Sequence, residues 1–277
     1  MAGVFDATAR HRHSPRSGNI LYERNRVLIW LIPLLVFVIA YLVNIIYISI
    51  FYHRALAHGA VTLTPWLRKF VIHSGVWLTG IDPKAWSCMH RTHHLESDTE
   101  NDPHSPVHYG LFGTFFGQLR SYEKNLVGLI MNRKQYTDVV ADMDFSVSWL
   151  FKKKLWFVPY VLHLAIAVGI GYWLDNPWIS VAYFLGMMSH PLQGWLVNAF
   201  GHAIGYRNFN LEDNSRNNTL VAWATLGEGF QNNHHHDPGS AKFSVKLWEI
   251  DMGYWVCWIF RLLGLLKFGN PANAGGK

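Results

Sequence analysis

The chain has sixteen histidines in 277 residues, and their placement says more than their number. Four clusters follow one another as HRALAH (His53, His58), HRTHH (His90, His93, His94), NAFGH (Asn198, His202) and QNNHHH (Gln231, His234, His235, His236). Residues three and four apart share a helix face. His90, His93 and His94 therefore aim their imidazoles at one point, and Asn198 and His202 do the same. Neutral imidazole is a favoured iron ligand, and iron with open coordination positions suits O2 chemistry. Leaving His236 in reserve, eight imidazoles are too many for one metal and about right for two. A lone histidine at a helix end is more often a hydrogen-bonding residue, and HRALAH alone is weak because a five-residue spacing arises by chance. The ordered set of four outweighs those bland alternatives.

Something must hold these clusters at a common depth, and the apolar runs between them do so. Residues 27–52 carry no charge, which is long enough to cross a bilayer that takes ~20 residues. Residues 155–174 and 178–200 form two further runs, divided by Asp175-Asn176-Pro177. That turn predicts a helical hairpin, for three passes in all. Pro65 opens a predicted interfacial helix over 65–80, where Arg68 and Lys69 oppose full insertion. Residues 84–96 read as a helix, 110–150 as helices on the membrane surface, and 246–268 as an aromatic amphipathic helix. The expected fold is thus an all-α integral membrane protein, its transmembrane helices carrying a cytoplasmic histidine-rich cap with interfacial helices. Residues 1–19 read as a disordered basic tail, 20–268 as one membrane domain and 269–277 as a flexible tail.

Composition removes several classes. The first apolar run is too long for a secretory signal. Cys88 and Cys257 give neither a disulfide framework nor a thiolate metal motif. Half the residues are hydrophobic and the net charge is +6, without the basic and aromatic interleaving that nucleic acid needs. Lys152-Lys153-Lys154 reads as a cytoplasmic headgroup anchor. Three passes put the basic N-terminal tail on the opposite side, against the positive-inside tendency, unless Pro33 breaks the first run into a re-entrant hairpin.

HRALAH, WSCMHRTHHLESDTENDPHS, LVNAFGHAIGYR and GEGFQNNHH resemble, in this order, the motifs of membrane fatty acid desaturases, the histidine-box di-iron enzymes of the delta-9 acyl-CoA and acyl-lipid type. The resemblance covers roughly residues 45–265. It implies two iron ions and O2 as co-substrate. One iron would take His53, His58, His90, His94 and His235; the other His93, His202 and His234, with Asn198 acting through a water. Gln231 departs from the pattern, standing where many relatives have histidine, and its amide oxygen is a weaker donor. His236 is a possible substitute. Trp86 and Trp195 match positions expected to touch substrate. Asp98, Asp102, His104 and Glu228 are expected to orient the ligating rings, and Phe37, Ala40, Tyr41 and Asn44 to line an acyl tunnel. His73, His163 and His190 lie off the pattern and read as structural residues.

The implied activity is O2-dependent desaturation of a fatty acyl chain. Cys88 and His108-Tyr109 stand where animal acyl-CoA enzymes have basic residues, so the carrier is left open between coenzyme A, acyl carrier protein and a membrane lipid. Electrons would come from a separate ferredoxin or small cytochrome, attracted by Lys124, Arg133 and Lys134. Alternatives on the same site are hydroxylation, acetylenation and oxidative decarboxylation of a lipid chain. A membrane metal-binding protein is the remote alternative, although a transporter would place its ligands near mid-membrane. The expected location is a bacterial inner membrane, with the site on the cytoplasmic face.

Overall fold

A run of Leu, Ile, Val and Phe without charge offers the backbone no side-chain competitor, and it forms one continuous helix. The computed structural model describes residues 16–102 and 104–269, with side chains from residue 29 onward. Residues 1–15 and 270–277, most of the two expected tails, lie outside the described residues. Helix α1 spans Arg16–Ile46 and holds Pro33 without interruption, so no re-entrant hairpin forms there. It continues directly into a π-helical segment, Tyr47–Ala57.

That π-helical segment gives the HRALAH spacing its meaning. In an α-helix, side chains five residues apart diverge by roughly 140°. In a π-helix the backbone bonds run i to i+5, and here the His58 N–H donates to the His53 carbonyl at 3.1 Å. The widened turn brings His53 and His58 onto one side. A π stretch of 11 residues is unusual, because such turns occur mostly singly and often at functional sites.

After a short strand β1, Val61–Leu63, the chain forms α2 (Pro65–Thr79), α3 (Pro83–Glu96) and α4 (Pro106–Ile130). Gly80 ends α2 with φ 74°, the left-handed stop that glycine takes without a Cβ clash. Asp82 then starts α3, its carboxylate accepting from the Lys84 and Ala85 amides, with Pro83 at the first helical position. The other oxygen of Asp82 accepts from the Ser148 amide at 2.7 Å, which ties the surface segment over α3. Helices α5 (Val158–Trp173) and α6 (Pro177–Met187) form the expected hairpin around Asp175, and both α5 and α1 pack on α6. A Cβ built on Gly186 would lie 2.8 Å from that of Ala40, so α1 and α6 touch at backbone distance.

The chain then turns at Ser189 into α7, which runs through His190–Trp195, a π turn at Leu196–Phe200 and Gly201–Ala203. The last site helix is α8 (Gln231–His236), and α9 (Met252–Leu262) is the amphipathic segment near the C-terminus. Strand β2, Leu266–Phe268, pairs antiparallel with β1, Val61 facing Phe268. This small ribbon departs from the all-α expectation and straps the C-terminal end to the π-helical segment.

Two other expectations are corrected. Among the described residues only Ile29–Ala57 is long and apolar enough to cross a membrane. At ~1.5 Å per residue, the 16 residues of α5 and 11 of α6 span about 24 and 17 Å, short of a hydrocarbon core of ~30 Å. The run 178–200 is not one helix because it breaks at Ser189. The bundle of α1, α5 and α6 still presents Leu34, Leu35, Ile39, Val161 and Val168 on its exterior.

One buried cation joins the bundle to the histidine-bearing part. Arg54 is wholly buried. It donates to Glu228 at 2.6 Å, to Asp251 at 3.2 Å and to the Ala241 carbonyl at 3.1 Å, and lies 3.9 Å over the Phe243 ring. Removing one partner from a buried ion cluster strands the others. Arg54→Met is expected to cost about 3–5 kcal/mol, read as a large fall in the thermal unfolding midpoint of the detergent-solubilised chain.

Candidate metal centre

Four elements deliver the imidazoles: the π-helical segment brings His53 and His58, α3 brings His90, His93 and His94, α7 brings His202, and α8 brings His234 and His235. Their ring nitrogens fall into two groups. His53, His58, His90, His94 and His234 form one, and His93, His202 and His235 the other, with donor atoms within 4.8 Å of one another in each group. In the first group, Nε2 of His53 lies 3.0 Å from that of His234, His58 2.7 Å from His90, His90 3.0 Å from His94, and His94 2.9 Å from His234. In the second, His93 and His202 approach to 3.3 Å. Imidazole nitrogens bind a metal at ~2.0–2.1 Å, so donors about 3 Å apart suit adjacent positions around one ion.

Four of the opposite nitrogens are spoken for. Nδ1 of His53 faces Glu228 at 2.5 Å, His93 faces Asp102 at 2.9 Å, His202 faces Asp98 at 2.8 Å and His235 faces Asp213 at 2.8 Å. A carboxylate at Nδ1 holds the proton there and leaves the Nε2 lone pair free for a metal. These carboxylates are themselves fixed. Asp98 accepts from the Asn214 amide and Asp102 from the Asp98 amide, at 2.7 and 2.8 Å, and Asp98 takes a positive φ of 60° to do so. Burial alone would raise Asp102 and Asp213. The bonds and charges of His93 and His235 outweigh it and hold both well below the usual carboxylate range.

Burial also acts on the rings. It pushes His58, His90, His94 and His234 well below the usual imidazole value, helped by the neighbouring histidines, and brings His235 down to about 4. These five imidazoles are thereby held neutral, the state a metal requires. The donor set therefore fits a pair of imidazole-liking metal ions such as iron.

The expected partition between the two ions is corrected in one respect. His234 joins the five-membered group and His235 the three-membered one, the reverse of the expectation. Neighbours on a helix point about 100° apart, so the pair must straddle both groups, and Asp213 fixes which ring goes where. His236 joins neither group, since its ring stacks 3.7 Å from Phe209. Asn198 and Gln231 stand next to the two groups, on α7 and at the start of α8. Asn198 donates to Gln118 at 3.2 Å, and both residues line the cavity beside the rings.

That cavity holds about 180 Å³ and reaches His53 and His90 at one end. Its apolar wall includes Ile45, Ile48, Met89 and Leu119. Trp86 stacks on His90 at 5.1 Å and lines it too. Trp195 does not line it. The Trp195 indole donates to the Leu111 carbonyl at 2.7 Å and packs on Phe112 and Phe200. The expected tunnel residues also miss it: Tyr41 donates to the Ala224 carbonyl and Asn44 to the Met187 carbonyl, and the wall begins one residue on, at Ile45. His104 stacks 4.7 Å from His93 and lines the cavity with its Nδ1 unpartnered. His163 bonds Tyr183 and the Trp77 carbonyl, a structural role as expected. A separate polar cleft of about 770 Å³ meets His58 and His94, beside Arg68, Arg91 and Asp142.

One residue escaped the sequence reading, and another, expected to be structural, lines the cavity. Asp213 lies in the polar stretch LEDNSRNN with no spacing to mark it, and His190 lines the cavity from the start of α7.

Comparison with known proteins places these features. The fatty acid desaturase profile matches residues 28–260. A hex-5-enoyl-[acyl-carrier protein] acetylenase from Moorena producens is 31% identical over 233 residues, which are 80% of this chain and 72% of that protein. The delta-9 desaturase-like 2 protein of Arabidopsis thaliana is 30% identical, over 82% of this chain and 73% of its own. The sn-1 stearoyl-lipid 9-desaturase of Anabaena variabilis is also 30% identical, over 79% and 76%.

Two outcomes are expected of the site. Asp213→Asn should weaken metal binding by roughly 10–100-fold, measured by competition with a chelator of known affinity. The metal-free chain should also be acid-sensitive. Unfolded imidazole titrates near 6.5 and folded His235 at about 4, so between these values the unfolded chain binds more protons. Stability is then complete above about pH 6.5 and falls as pH drops toward 4, which unfolding midpoints across that window will show.

Proposed function

Because the chain belongs to the fatty acid desaturase family, we propose that it uses O2 to insert a double bond into a fatty acyl chain at a pair of iron ions. The observation that carries this is the meeting of two imidazole groups, five rings and three, with an apolar cavity that reaches His53 and His90. His53, His58, His90, His94 and His234 would hold one iron, and His93, His202 and His235 the other.

Bound iron would supply with O2 the oxidising power to remove hydrogen atoms from unactivated methylenes, which carry no acidic proton for a base to take. Overall, two hydrogen atoms leave adjacent carbons. With O2, two electrons and two protons they end as two waters. The chain's own residues do the rest. Ile45, Ile48 and Leu119 pack the acyl chain and exclude water. Trp86, stacked on His90, sets one wall beside the metal end. Asp98, Asp102, Asp213 and Glu228 face the Nδ1 of their partner rings, so the four rings stay correctly turned with Nε2 free for a metal.

The electron donor is a separate ferredoxin-like or small cytochrome partner, and the polar cleft at His58 and His94 gives a hydrophilic approach to the centre. The exposed apolar exterior of α1, α5 and α6 supports an integral membrane protein. α1 crosses, the shorter pair inserts beside it, and the histidines sit at the cytoplasmic end, in a bacterial inner membrane. The carrier is coenzyme A, acyl carrier protein or a lipid. A second reading keeps the site and changes the product: likeness to an acetylenase favours a triple bond made from an existing double bond.

The test is the acyl profile, by gas chromatography and mass spectrometry, of a bacterial host expressing the wild type beside His94→Ala. A new alkene that vanishes in the variant is the expected result. A new alkyne would select the second reading, and unchanged lipids with a donor co-expressed would reject both.

A further inference from the structure

The cavity beside the rings is not apolar throughout. Besides Ile45, Ile48, Met89 and Leu119, it is lined by His190 and Gln193, which lie three residues apart on α7 and so share a face. Gln193 is 2% exposed, and its amide oxygen has no hydrogen-bond partner. That amide is oriented from behind. Its nitrogen donates to the Ser189 hydroxyl at 2.7 Å, and the same hydroxyl donates to the Gly186 carbonyl at 2.6 Å. The hydroxyl proton is thus used, the amide nitrogen is the end that faces Ser189, and the oxygen is left as a free acceptor. Nδ1 of His190 is likewise buried without a partner. A neutral imidazole offers one donor and one acceptor.

Gln118 shows the contrast. It lines the same cavity, yet its nitrogen donates to the Pro191 carbonyl at 2.7 Å and its oxygen accepts from Asn198 at 3.2 Å. Both ends of that amide are satisfied within the fold. A buried polar atom left unpaired costs free energy, so a plain hydrocarbon packed against His190 and Gln193 binds at a penalty. An acceptor beside a group able to donate is matched by a hydroxyl, which both gives and receives hydrogen bonds. An ester or thioester carbonyl only accepts, and would leave Gln193 unpaired.

The place of the pair says which part of the chain it meets. His190 and Gln193 follow the corner where α6 gives way to α7, and there Asn44 of α1 donates to the Met187 carbonyl at 2.7 Å. Asn198, next to the metal groups, is eight residues further along α7, about 12 Å at the helical rise. The pair therefore stands at the bundle side of the cavity. A carrier or headgroup stays in water, so the part of an acyl chain that reaches this corner is its methyl-ward part.

We propose that His190 and Gln193 form a hydroxyl-binding subsite in the cavity, so that the substrate is a hydroxylated fatty acyl chain with its hydroxyl on the methyl side of the reacting carbons. This rests on the acyl reading above and narrows its substrate class.

The experiment is isothermal titration calorimetry of the detergent-solubilised full chain with positional isomers of hydroxypalmitate beside palmitate, each offered as the coenzyme A thioester and as the methyl ester. One isomer is expected to bind about tenfold more tightly than palmitate in the same form, as two added hydrogen bonds allow. Gln193→Leu should abolish that preference and keep palmitate binding at least as tight as in the wild type, which also shows that the variant is folded. His190→Phe should reduce the preference as well. Equal binding of palmitate and every isomer, as when an ordered water fills the subsite, would overturn the proposal and leave the acyl reading intact. A preference that survives Gln193→Leu would do the same. Failure of every chain to bind in either form would sink the acyl reading, and the proposal with it.

Discussion

Eight imidazoles brought within a few ångströms of one another are an electrostatic constraint on everything around them. Protonated, they would repel; unpartnered, each would strand a buried polar nitrogen. Burial keeps His58, His90, His94, His234 and His235 neutral, and Glu228, Asp102, Asp98 and Asp213 hold the rings of His53, His93, His202 and His235 from behind. A metal bound to these neutral nitrogens, and not to the unfolded chain, adds its binding free energy to folding. Site and stability are therefore coupled.

The rest of the structure serves that convergence. The π-helical segment turns His53 and His58 to one side, and α3 presents three rings from one face. Arg54 leaves the same π-helical segment in the opposite sense and locks Glu228 and Asp251. Glu228 thus bonds a ligand ring with one oxygen and the buried guanidinium with the other. The π-helical segment that continues α1 thus grips this carboxylate through both His53 and Arg54. An apolar cavity reaches the rings at His53 and His90, and a polar cleft reaches them at His58 and His94.

Much of this was legible in the sequence. Residue type and the three- and four-residue spacings announced HRTHH and NAFGH. The apolar runs announced the bundle, and Asp175-Asn176-Pro177 its hairpin. What was hidden had physical reasons. HRALAH looked accidental because its spacing suits only a π-helix, a geometry no propensity signals. The exchange of His234 and His235 depends on how a six-residue helix is rotated by Asp213, a contact between segments distant in sequence. Hydropathy counted the run 178–200 as one crossing, since it does not see the break at Ser189. Trp195 fitted a motif but turns its indole to Leu111, a choice made by tertiary packing.

X-ray absorption at the iron edge of the iron-loaded full chain tests the imidazole-built pair most directly. The account predicts two irons per chain and a nearest shell of nitrogen and oxygen, with the outer-carbon scattering of several imidazoles per iron. A single iron, or a shell dominated by carboxylate oxygen with little imidazole scattering, would contradict it.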